Sequence, residues 1–203
     1  MKPITRRKML ATLAVTGAST LGARRLFAAD QPASARPAWS ATDRQAAADK
    51  LMTYFTRTAP QLLRPPQGIL SHANIAPSLP GKQYSTTLWD WDTLWTTRGL
   101  FRFAHLTKDD AFRAKVAEHA QGSLQIFFDQ ASPEGRIPML ISVRNADPLD
   151  CLKPAPAPNH KNQAKPIFGQ LALLTADETN DVRWLAPHFA KLLKFYDSWT
   201  ANN

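Results

Sequence analysis

Only one cysteine, Cys151, stands in the 203 residues, so no intrachain disulfide can form and the fold has no covalent cross-link. Zinc-type spacing is missing as well: His72, His105, His119, His160 and His188 are scattered, which gives no metal ligand set. Glycine is scarce, 8 residues against 16 prolines, a balance that favours stiff connections over flexible ones. No apolar run approaches the roughly 20 residues of a membrane-spanning helix. Acidic residues are absent before Asp30, where Lys2, Arg6, Arg7, Lys8, Arg24 and Arg25 all fall. Removing those six charges takes the formal net charge from +9 to +3. The remaining Lys and Arg form no run, which excludes a nucleic-acid partner.

The basic segment has a purpose of its own. Thr5-Arg6-Arg7-Lys8-Met9-Leu10 is a twin-arginine pattern, followed by a weakly apolar stretch rich in Ala, Thr and Gly as far as Ala23. Residues 1–35 therefore read as a signal peptide with a short linker, cleaved after Ala29 or after Ala35. Residues 36–203 read as part of one domain. The expected destination is the periplasm or the exterior, reached already folded, with no membrane association once the signal is removed. A single cysteine suits a chain that folds before export.

Beyond the leader the hydrophobic periodicity is helical. A helix is predicted from Ser40 to about Thr58, capped by Ser40 or Thr42, with Leu51, Met52, Tyr54 and Phe55 on its buried side. Residues 60–86 read as a long irregular connection, the kind of loop that usually carries function. The next helix is predicted from Leu88 to Leu106, and after a tight turn Asp109 caps another that runs to about Asp129. Phe112, Val116, Ala120, Leu124 and Phe128 share one side of it. Two helices so closely linked must be antiparallel neighbours. Arg136 to Val143 is a strand or an extended segment. A short apolar helix from Gln163 to Ala176, with Pro166 in its first turn, precedes one that starts at Asn180 or Asp181 and ends near Trp199. Long loop, inner helix, outer helix then recurs with a period of roughly 75 residues, which points to helical hairpins set around an axis.

The most informative stretch is Thr87-Leu88-Trp89-Asp90-Trp91-Asp92-Thr93-Leu94-Trp95, three tryptophans and two carboxylates within seven residues. With Thr87 as N-cap, Asp90 reads as a first-turn capping acid. Leu88, Trp91, Asp92, Trp95 and Gly99 then share a stripe, which places Asp92 inside an aromatic face. A carboxylate there needs a partner, in the protein or on a polar ligand. Indole faces beside an acid suit a sugar, whose ring stacks while its hydroxyls donate. Tyr84 adds a stacking or hydroxyl contact, or simply packs.

Pro80-Gly81-Lys82-Gln83-Tyr84 leading into Leu88-Trp89-Asp90-Trp91-Asp92-Thr93, with Asn162-Gln163-Ala164-Lys165-Pro166 opening a later helix, resembles glycoside hydrolase family 63. The likeness is to its mannosylglycerate hydrolase-like branch and, more widely, to trehalases, and it covers about residues 60–200. It implies an all-α fold, an (α/α)6 toroid of helical hairpins, an inverting mechanism and no cofactor. It also implies an oligosaccharide or glycoside substrate held by Tyr84, Trp89, Trp91, Asp92 and Gln163. Ala164-Lys165 departs from the Gln-Pro-Pro usual in that family. Lys165 at the mouth would either meet an anionic substituent or stay solvated.

A full toroid needs about twelve helices, roughly 400 residues, whereas this chain supplies about half of that barrel. The family's general acid and base would lie beyond Asn203. Asp90 and Asp92 face apart on one helix, and Asp147 and Asp150 lack aromatic company. The expectation is therefore the N-terminal portion of an exported, alpha-acting glycosidase, with binding residues, no catalytic pair of its own and a missing C-terminal half as its partner. Two alternatives stand beside it: a non-catalytic carbohydrate-binding helical protein, and another toroid enzyme such as a sugar epimerase or polysaccharide lyase.

Overall fold

The computed structural model describes residues 39–152 and 162–200; the twin-arginine segment and its cleavage sites lie outside the described residues. Among the described residues, those from Asp49 onward form one compact unit. Helix α1 spans Ala41–Thr58. Ser40 caps it as expected: its hydroxyl accepts from the Asp43 amide at 3.0 Å, and the Asp43 carboxylate accepts from the Ser40 amide at 3.2 Å. This reciprocal pairing satisfies two of the amides left open at the helix start. The side chain of Ser40, together with its amide, holds the Asp43 carboxyl below its ordinary range. The buried side expected for α1 is not buried. Leu51, Tyr54 and Phe55 are exposed, and Phe55 meets Phe103 at a ring separation of 6.2 Å. An amphipathic stripe is buried only where a partner covers it, and here it stays largely open.

The connection after α1 is more ordered than its prolines imply. A 3-10 turn, Ala59–Leu62, leads into β1, Leu63–Arg64, which pairs antiparallel with β2, Asn74–Ile75. This ribbon lies on helix α3, Asp110–Asp129, where Ser123 accepts from the Ile75 amide at 3.0 Å. Gly122 makes the approach possible: a Cβ there would fall 2.0 Å from the Ala73 carbonyl oxygen.

Strand β3, Thr87–Trp89, pairs antiparallel with β4, Leu140–Ser142, in the register Leu88 to Ile141. The helix expected from Leu88 therefore begins later, and α2 spans Asp90–Thr107. Leu88 and Ile141 are both fully buried, so the alternation along β3 is that of a half-buried strand. Lys108, in the left-handed region at φ 55°, closes α2. Asp109 then caps α3 by accepting from the Phe112 amide at 2.8 Å. The expected stripe Phe112, Val116, Ala120, Leu124 and Phe128 is buried, and so are Ile126 and Phe127. Helix α3 packs against α2, both strands of the first ribbon and helix α4, which makes it the pillar of the unit.

Helix α4 spans Phe168–Thr179 and starts five residues after Gln163. Around Gln163 the chain bridges to residues 137–139: Met139 donates to the Asn162 carbonyl at 2.8 Å and Ala164 to that of Ile137 at 2.7 Å. After α4, a 3-10 segment, Arg183–His188, absorbs Pro187 and leads into α5, Phe189–Thr200. Phe168 joins the elements, with ring centroids 4.7 Å from Phe127 and 4.9 Å from Phe195. Each buried phenylalanine contributes about 1.5–3 kcal/mol. At the edge of this core Asp129 accepts from Lys191 at 3.0 Å and from His72 at 3.2 Å. Burial alone would raise the Asp129 carboxyl, but those two hydrogen bonds hold it below its ordinary value.

The described fold is mostly helical with two small two-stranded sheets. Among the described residues no helix is long and apolar enough to cross a membrane. Gly122→Ala should lower stability by about 1–3 kcal/mol through backbone overlap. At Gly99 a Cβ would meet only open space. Gly99→Ala should therefore be tolerated and gain up to about 1 kcal/mol. Thermal unfolding of the two variants checks the contrast, and equal Tm values would show that the ribbon does not rest on α3 in this way.

Candidate functional site

Helix α2 has two faces, and their assignment reverses the sequence expectation. Its buried stripe is Asp90, Thr93, Leu94, Thr97, Leu100, Phe101 and Ala104, the i, i+3, i+4 pattern of a core-facing side. Thr93 and Thr97 pass their hydroxyl hydrogens to the carbonyls of Trp89 and Thr93, both at 2.6 Å, so neither leaves a buried donor unmet. Trp91, Asp92, Trp95 and Gly99 form the exposed stripe. Asp92 is thus not inside a desolvated aromatic face; the desolvated carboxylate is Asp90.

Asp90 is 1% exposed and fully engaged. One oxygen accepts from the Trp91 amide at 2.7 Å, and the other accepts from the Lys165 amide, also at 2.7 Å. The Lys165 ammonium lies 3.6 Å from that second oxygen. The Asp90 amide in turn donates to the Met139 carbonyl at 3.0 Å. Beyond capping, Asp90 therefore bolts the start of α2 to the approach to α4. Lys165 is half-exposed, but its charge is paired with Asp90 rather than simply solvated at a mouth.

On the open side, Trp91 and Trp95 are each 48% exposed. Their rings meet edge to face with centroids 5.8 Å apart and planes at 65°, and the Arg98 guanidinium lies 5.8 Å from the centroid of Trp95. Asp92 sits between them in the sequence, exposed, and its carboxylate makes no hydrogen bond or ion pair with any described residue. It stands in the first turn, where the helix dipole favours an anion. Two indoles forming a corner, with a free acceptor and a cation beside them, offer stacking surface and polar contacts to a hydroxyl-rich ligand.

Tyr84 and Trp89 make a separate pair. Tyr84 is exposed in the left-handed region at φ 65°, with its ring centroid 5.5 Å from that of Trp89. The Trp89 indole donates to the Thr87 hydroxyl at 3.1 Å, on the face of β3 opposite Leu88. Gln163 belongs to neither group. It is 3% exposed, its carbonyl oxygen accepts from the Arg136 guanidinium at 3.2 Å, and its amide donates to Ser198 at 2.9 Å. The sequence expects it to contact a sugar; in the structure its amide lies in the interior and ties the chain before α4 to α5. Trp95 and Arg98 are the residues missing from the expected set. Their spacing of four and seven from Trp91 was the available signal.

Among the described residues no three His, Cys, Asp or Glu side chains come together to hold a metal ion. Burial raises the Cys151 thiol above its ordinary value, and the thiol donates to the Pro148 carbonyl at 3.1 Å. No protein-family model matches the sequence, and no curated protein matches it. The resemblance to the family 63 hydrolases rests on the two quoted motifs.

The two aspartates separate by role. Asp90→Ala should cost about 3 kcal/mol, because it removes a buried acceptor of two amides and a paired charge. Asp92→Ala should change stability by no more than about 1 kcal/mol. Urea unfolding of both variants measures this, and a larger loss for Asp92→Ala would reverse the assignment.

Proposed function

We propose that this chain contributes the sugar-binding part of an exported, inverting glycoside hydrolase that acts on alpha-linked sugars. In this reading Trp91, Trp95 and Asp92 grip a sugar ring, Tyr84 and Trp89 border it, and Asp90 and Gln163 hold the framework. The observation that carries it is the exposed indole corner beside an acid without a partner. Apolar surface of that kind is uncommon on a soluble protein unless something covers it. The finer architecture, a partial (α/α)6 toroid, is supported by the order of hairpins, α2 with α3 and then α4 with α5. Further support comes from the open apolar residues of α1 and α5, among them Leu51, Phe55, Phe189 and Leu193. In a complete toroid the neighbouring hairpins would cover them.

An inverting pair has to stand about 6.5–9.5 Å apart across the scissile bond. Asp90 cannot supply a member, since its oxygens are buried and bonded. The general acid and base are accordingly proposed to come from chain outside these 203 residues. A non-catalytic carbohydrate-binding role is the second reading, and the interior commitment of Asp90 favours it for this chain taken alone.

Titration of the chain with alpha-linked disaccharides, by calorimetry with a parallel assay for released reducing sugar, tests the first reading against the second. Binding is expected, with Trp91→Ala weakening it by roughly five- to tenfold. Asp92→Asn should weaken it by about tenfold or more. Affinity unchanged in both variants would remove the sugar reading, and turnover by the isolated chain would overturn the proposal that the catalytic pair lies elsewhere.

Export by the twin-arginine route to the periplasm or beyond is proposed from Arg6 and Arg7. Changing both to Lys should leave the precursor in the cytoplasm of a bacterial host. Undiminished export of that variant, measured by fractionation, would exclude this route.

A further inference from the structure

A second group of side chains stands apart from the indole corner. Arg64 and Asn74 face each other across the β1–β2 pair, so their side chains share one face of the ribbon. Both line a cavity of about 360 Å³, together with Ser85, Thr86, Leu70 and Pro80. That size lies within the usual range of small-molecule sites.

The polar groups in this cavity are unsatisfied in a complementary way. Asn74 is 1% exposed; its amide donates to the His72 carbonyl at 3.0 Å, while its Oδ1 is buried with no partner. Arg64 has five donors, yet its one hydrogen bond goes to the Ser78 carbonyl at 3.3 Å and its buried Nε has none. No carboxylate pairs with it among the described residues, and burial, with no opposing charge, lowers its pKa below the ordinary arginine value. A half-buried cation without a counter-ion is costly, and a buried acceptor without a donor adds to the cost.

We propose that this cavity binds a small hydroxycarboxylate, with Arg64 taking the carboxylate and Asn74 Oδ1 accepting from the neighbouring hydroxyl. Each half of the ligand answers one unmet group. A neutral sugar would leave the guanidinium uncompensated. A phosphate would meet only one cation and would set its own acceptor oxygens against that of Asn74. The ligand is either a free hydroxy acid or the acidic sugar unit of a polysaccharide, which share this chemistry. The proposal stands on these groups and does not depend on the indole corner.

Calorimetric titration of the 203-residue chain with galacturonate, trigalacturonate, lactate, methyl glucoside and inorganic phosphate tests it. Galacturonate or lactate is expected to bind and to raise Tm, while methyl glucoside and phosphate bind at least about tenfold more weakly at this cavity. Trigalacturonate stronger than galacturonate assigns the polymer source, and lactate stronger than both assigns the free acid. Arg64→Gln should weaken binding by roughly tenfold or more. Should that variant not fold, Arg64→Lys serves, since it keeps the charge but loses the planar fork and is also expected to weaken binding. Asn74→Asp places a carboxylate opposite Arg64, so it should raise Tm without ligand and abolish binding. Trp91→Ala should leave lactate affinity unchanged, because lactate has no ring to stack on an indole, which separates this site from the sugar reading. Phosphate binding tighter than galacturonate, affinity unaffected by Arg64→Gln or Asn74→Asp, or lactate affinity lost in Trp91→Ala would overturn the proposal.

Discussion

A carboxylate withdrawn from water at the first turn of a helix has to be met by donors, and Asp90 meets its donors far along the chain. The Lys165 amide and ammonium come from a segment 75 residues away. That contact fixes which side of α2 turns inward, and so it also fixes the outward side that carries Trp91, Asp92 and Trp95. It also ties Lys165 to the start of α2, three residues before α4 begins at Phe168. The position of the candidate sugar face thus follows from an ionic and hydrogen-bonded junction between Asp90 and Lys165, not from the indoles of Trp91 and Trp95.

Much of the helical framework is legible in the sequence because its causes are local. Asp109 announces the start of α3, and five apolar residues at helical spacing announce its buried side; both are observed. The turn at Lys108 follows from the short gap between two helical patterns. What stays hidden depends on partners remote in sequence. Thr87–Trp89 forms a strand because Leu140–Ser142 lies alongside, and a three-residue strand has no periodicity of its own to read. The same holds for the ribbon of β1 and β2 within a proline-rich connection.

The candidate site is half legible. Concentration of Trp and Asp between Trp89 and Trp95 locates it, but the aspartates exchange roles. Counting tryptophan as apolar turns the stripe of Trp91 and Trp95 inward. In the structure threonines and leucines fill the inner face instead, the threonine hydroxyls bonded back along the helix. Gln163 stands out by its motif, and its side chain forms a bracket between Arg136 and Ser198 that no motif announces. Arg64 and Asn74 give no sequence signal at all, since only the pairing of β1 with β2 sets them face to face.

The seat of Ala73 over Gly122 carries an implication for how this sequence can vary. The ribbon rests on α3 with no room for a methyl group between them. Any lineage that enlarges position 122 must lift the strand pair and, with it, the distance between Arg64 and its surroundings. Position 122 and the loop around Ala73 are therefore bound to drift together or not at all, and the helix acts as the gauge that sets the depth of a pocket it does not line.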